Sequence, residues 1–93
     1  MALGGKPYSD QPVSNNSFIR TFESGQSPDL YEWHRDHADR TVRIIEGKGW
    51  QFQLDNELPQ PLQPGDVLSI DAETYHRLIP GTEKLVIEIQ ERR

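Results

Sequence analysis

The sequence predicts an all-β domain, a sandwich or a barrel, on three observations. About six to eight short stretches carry β-branched or aromatic residues, several with apolar and polar positions alternating. Gly, Pro, Asn and Asp clusters separate them at close spacing. No window of about ten residues has a helical apolar period. Closely spaced short strands with turns between them are the pattern of sandwiches and barrels.

In chain order, residues 1–16 ("MALGGKPYSDQPVSNN") are rich in Gly, Pro, Ser and Asn and show no period. They read as a flexible N-terminal arm, with the domain proper over 17–93. "SFIRTFES" (17–24) reads as a first strand, and "GQSPDL" as a loop. "YEWHRDH" (31–37) reads as a strand with its side chains on alternating sides. "RTVRIIEG" (40–47) is β-branched and closes at Gly47. In "GWQFQLDNE" (49–57), Trp50, Phe52 and Leu54 fall on one face and Gln51, Gln53 and Asp55 on the other. The prolines of "DNELPQPLQPGD" allow turns and a short edge strand at most. "DVLSI" is a strand, "DAETY" a turn, and "HRLIPG" a strand that breaks at Pro80-Gly81. "EKLVIEIQE" is a last strand with Leu85, Ile87 and Ile89 on one side.

The chain has 93 residues, of which 33% are hydrophobic, enough for one small domain with a thin core. Thin cores are usually supplemented by disulfides, a metal or a second subunit. There is no cysteine, which excludes disulfides, thiolate metal sites and thiol chemistry. A His/carboxylate metal site or a homodimer remains, and a homodimer is expected. The net charge of -5, without a basic stripe, gives no support to nucleic-acid binding. The N-terminus has no long apolar run, so neither a signal peptide nor a membrane span is expected, and the cytoplasm is the expected location.

"WHRDHADR" (33–40) holds two of the three histidines. On a strand, residues two apart lie about 7 Å apart on one face. His34 and Asp36 then share a face, with Trp33, Arg35 and His37 on the other. His and Asp suit a borderline divalent metal. His76, at the start of a strand just after a turn, is the one other histidine that can supply a third ligand. The competing reading is a solvated strand end laced with Arg–Asp pairs of little individual worth.

Two segments resemble the paired motifs of the cupin superfamily. His34-Arg35-Asp36 lies at the His-x-His position of the first motif, Arg40 at its Glu position, and Gly47 closes it. "GDVLSIDAETYH" (65–76) resembles the second motif, which ends on a metal-binding histidine. The match covers about residues 31–91. It implies a double-stranded β-helix, the jelly-roll barrel of RmlC-like cupins. Where such cupins carry His, His, Glu and His around one metal, this chain offers His34, Asp36, Arg40 and His76.

Arginine cannot ligate a metal and repels one. His37 could replace a ligand only if a bulge turned it inward. His34, Asp36 and His76 nevertheless make two histidines and one carboxylate, a composition known from iron(II) oxygenase sites with open positions. The resemblance therefore implies a divalent metal, iron, manganese, nickel or zinc, at weak or partial occupancy because of Arg40. Arg40 suits an anionic small-molecule ligand. Gln51 and Gln53, opposite the apolar face of their strand, are further ligand-binding candidates that either line the barrel or face solvent. Three functions follow: a metal-dependent oxygenase, isomerase or lyase; a metal-free cupin that binds a small ligand, with Arg40–Asp36 closing the site; or an accessory oligomeric β-domain.

Overall fold

Alternation and turn chemistry give eight strands among the described residues. The computed structural model describes residues 8–25 and 31–92. The strands are β1 (Tyr8–Ser14), β2 (Ser17–Phe22), β3 (Asp39–Glu46), β4 (Gln51–Leu54), β5 (Gln60–Pro61), β6 (Val67–Ile70), β7 (His76–Ile79) and β8 (Leu85–Arg92). They form a five-stranded sheet, β1-β2-β8-β3-β6, and a three-stranded sheet, β5-β4-β7. Every pairing between them is antiparallel. None of the described residues forms a helix long and apolar enough to cross a membrane.

The last strand lies at the centre of the larger sheet. β8 pairs with β2 through Phe18↔Ile89 and Arg20↔Ile87, and with β3 through Val42↔Ile89 and Ile44↔Ile87. Its expected alternation holds: Leu85, Ile87 and Ile89 are buried. A bulge between Ile44 and Glu46 leaves Ile45 exposed and keeps Ile44 facing inward. Side chains from both sheets fill the space between them, including Val42, Ile44 and Ile87 from one and Phe52 from the other.

Trp50 closes this core. It is 1% exposed, donates its indole N–H to the Glu83 carbonyl at 2.6 Å, and packs against Phe22 and Tyr31. Burying the ring is favourable only because its polar N–H keeps a partner. Gly81 makes room beside it. A Cβ there would run into the Lys48 carbonyl and the Gly49–Trp50 backbone.

Two expectations need correction. The irregular arm read over 1–16 holds β1 from Tyr8 to Ser14; residues 1–7 lie outside the described ones. β1 is an edge strand with exposed side chains, so no apolar period marks it. A two-residue Asn15–Asn16 turn and the backbone ladder to β2 place it instead. The strand expected over 31–37 is an irregular segment with one bridge, His34↔His76. Residues 71–75 engage it from outside any ladder: Glu73 N–H donates to the Asp36 carbonyl at 2.7 Å, while Ala72 N–H donates to Asp39 Oδ1 at the start of β3, also at 2.7 Å.

Candidate metal centre and cavity

His34 and His76 come together through their backbones. Each N–H donates to the other's carbonyl, at 3.0 and 2.9 Å. Their rings meet edge to face, with centroids 4.3 Å apart. His76 starts β7 and is 5% exposed, whereas His34 stands at the solvent side.

Both rings are oriented the same way. His76 Nδ1 lies 2.8 Å from the Thr74 carbonyl, and His34 Nδ1 lies 3.1 Å from the Glu32 carbonyl. A carbonyl only accepts, so each Nδ1 carries a proton, and in the neutral ring Nε2 is then left with its lone pair. This is how the outer hydrogen bond of a metal-ligating histidine fixes its tautomer.

Asp36 completes the group. One ligand atom from each of His34, Asp36 and His76 lies within 4.8 Å of the others. These three could hold a metal ion. Asp36 Oδ2 is buried and accepts no hydrogen bond. It has only ion-pair contacts, 3.3 Å to His76 Nε2 and 3.4 Å to Arg40 Nη1. A buried carboxylate oxygen without a hydrogen bond is costly unless a cation meets it. Burial works to raise the Asp36 pKa. The His76 contact and the positive charge of Arg40, with that of the two imidazoles when protonated, outweigh it and hold the carboxyl below its ordinary range.

Arg40 leans away from the three ligands. Its Nε and Nη2 donate to Glu91 Oε2 at 3.1 and 2.8 Å, and only Nη1 turns toward Asp36. The ion pair expected between Arg40 and Asp36 is present, but Glu91 is the stronger partner. The turn after β6 sets Asp36 in place. Glu73 adopts a left-handed φ of 63° and faces Arg35 at 3.3 Å and His37 at 3.0 Å. His37 is thus directed outward, 98% exposed and engaged by Glu73. No bulge brings it to the other two histidines.

A cavity of about 290 Å³ opens beside this group. Its polar lining includes His34, Asp36, Arg40 and His76, and its apolar wall includes Val42, Ile44, Phe52, Leu78, Ile87 and Ile89. Gln51 and Gln53 do not line it. They occupy the opposite face of β4 from Phe52: Gln53 bonds Arg77 and the Glu57 carbonyl, and Gln51 borders a separate surface hollow. The alternation that buries Phe52 directs them away. Several lining residues were not legible from motif spacing. Arg20 reaches the cavity because Phe18, Arg20 and Phe22 share one face of β2, and Tyr31 packs its ring on Phe22 and Trp50.

No family model and no curated protein matches the sequence. Solved structures do match. A cupin-2 domain protein from Shewanella frigidimarina superposes with a TM-score of 0.66 at 21% identity, covering 99% of this chain and 87% of that one. This chain has the cupin fold. The DMSP lyase DddQ from Ruegeria pomeroyi DSS-3 shares it with a TM-score of 0.72 at 18% identity, over 86% of this chain and 40% of that one. FeII HppE shares it with a TM-score of 0.64 at 10% identity, over 82% of this chain and 41% of that one. This chain thus spans about two fifths of the length of those two proteins.

Proposed function

We propose that this small cupin binds one divalent metal ion through His34, Asp36 and His76 and takes a small anionic molecule into the adjoining cavity. The single observation that carries the reading is the orientation of the three ligands. Both imidazoles have Nδ1 anchored on a carbonyl, which in the neutral rings turns Nε2 lone pairs toward a buried carboxylate oxygen that accepts no hydrogen bond. Two histidines and a carboxylate leave coordination positions open. A bound ion would act there as a Lewis acid toward a ligand oxygen. Arg40 contributes positive charge for an anion at the same wall. That FeII HppE shares the fold supports iron among the candidate metals, beside manganese, nickel and zinc. The reaction is proposed as an oxygenation, isomerisation or elimination.

A calorimetric titration of chelator-treated protein with manganese tests the reading. One ion per chain in the parent, with none in His34→Ala, supports it. A flat titration in the parent overturns it. One observation favours a second reading: Asp36 already faces the Arg40 guanidinium at 3.4 Å and lies 3.3 Å from His76 Nε2, which pairs with it when protonated. In that reading the ion pairs close the site and the cavity binds an anion without metal. A flat manganese titration together with a carboxylate-induced rise in melting temperature would select it.

A further inference from the structure

The cavity has a second cationic wall. Arg20 lies on β2 and lines the cavity with its side chain 13% exposed. Its Nε and Nη2 donate to Asp10 Oδ1 and Oδ2 at 2.7 and 2.9 Å. Asp10 stands opposite it in the β1–β2 register. The Tyr8 ring covers the guanidinium face at 3.7 Å and fixes its plane. Asp10 occupies one edge of the fork. Nη1 is engaged by neither Asp10 oxygen, which leaves a second edge of the planar group for a carboxylate.

The sheet register fixes what lies between Arg20 and the metal-centre wall. Arg20 shares a row with Ile87 and Ile44. The next row is Phe18, Ile89 and Val42, and the one beyond holds Arg40 opposite Glu91. Arg20 and Arg40 are therefore two same-face rows apart, on strands separated by β8, with an apolar row between them. Both guanidinium groups reach toward Phe18, 5.2 and 5.9 Å from its ring centre. We infer that the cavity selects a short apolar chain bearing a carboxylate at each end, one end beside Arg40 and the metal ligands and the other on the free edge of Arg20. This rests on the proposed reading that the cavity takes a small anion, and it adds the second anchor and hence the ligand class. An apolar wall between two cationic groups favours a ligand whose charges are at its ends and whose middle is hydrocarbon. The small cavity restricts it to a short chain.

Calorimetry on the full chain, with manganese present, tests this with succinate, glutarate and adipate against butyrate, valerate and hexanoate. In the parent, the best dicarboxylate should bind about tenfold tighter than the monocarboxylate of equal length. Arg20→Gln should erase that advantage while monocarboxylate affinity stays within about twofold, which also shows that the variant is folded. Asp10→Asn should widen the advantage, because it removes the counter-charge from Arg20, an effect loss of folding cannot mimic. An unchanged ratio in Arg20→Gln, or a narrowed one in Asp10→Asn, overturns the inference and leaves the anion-binding reading standing. If no carboxylate of either kind binds the parent, both fall.

Discussion

Arg40→Gln should act in opposite directions on folding and on metal binding. The Arg40 side chain is 15% exposed and joins two acidic side chains that are themselves largely buried, Asp36 at 14% and Glu91 at 18%. Removing one partner of a buried ion pair costs about 3–5 kcal/mol, and partial hydration of this one lowers the figure to roughly 2 kcal/mol. For a domain of this size, that lowers the melting temperature of the metal-free protein by roughly 8–16 °C. Metal affinity should rise instead. Two unit charges about 4 Å apart interact by about 4 kcal/mol at an effective dielectric of 20. Glu91 offsets most of the Arg40 field, which leaves about 1–2 kcal/mol of repulsion to be relieved, near tenfold in affinity. Arg40→Glu should tighten binding further by adding a carboxylate, at a larger cost to the metal-free fold. Calorimetric metal titration and a thermal melt, run on the same preparations, read both effects. Metal affinity that falls or stays unchanged in Arg40→Gln would refute the placement of Arg40 as a charge opposing the metal.

Trp50→Ala should cost roughly 3–5 kcal/mol, since it removes a fully buried ring and orphans the Glu83 carbonyl, and should leave the protein unfolded or aggregated by circular dichroism. Asp36 has a folded pKa below its ordinary 3.8, so its stabilising contribution is full above that value and is lost as pH falls through the lower folded value. In metal-free protein, Asp36→Asn should therefore be less stable than the parent at neutral pH, and the gap should close in acid; denaturant melts across pH would show a constant gap if Asp36 were not charged and paired. We also propose a homodimer, with the exposed edge strand β1 and its neighbour β2 as the elements that meet. Light scattering at micromolar concentration should give twice 10.7 kDa, and a monomer mass throughout would reject it.

The fold was legible where one face of a strand is buried. β2, β3, β4, β6, β7 and β8 all fall where alternation or β-branched runs placed them, because burial on one side imposes a period of two. β1 escaped, because an edge strand exposed on both faces needs no apolar residue and its pairing resides in the backbone. The three proposed ligands were legible from spacing and resemblance, although for a partly mistaken reason. His34 and Asp36 converge with His76 through one bridge and a turn that grips the Asp36 carbonyl, not through a regular strand. Gln51 and Gln53 were misplaced because alternation fixes two faces without saying which looks into the cavity; Phe52 takes the inner one. Glu73, Glu91 and Arg20 could not be found by motif spacing, since each meets residues far from it in sequence.

Elemental analysis of protein purified without a histidine tag, from cells grown in metal-supplemented medium, is the most direct test of the metal centre. The parent should carry a divalent transition metal at up to one ion per chain, and Arg40→Gln should carry more. His76→Ala should carry none. Metal-free parent protein, or a content that His76→Ala leaves unchanged, would contradict a site built from His34, Asp36 and His76.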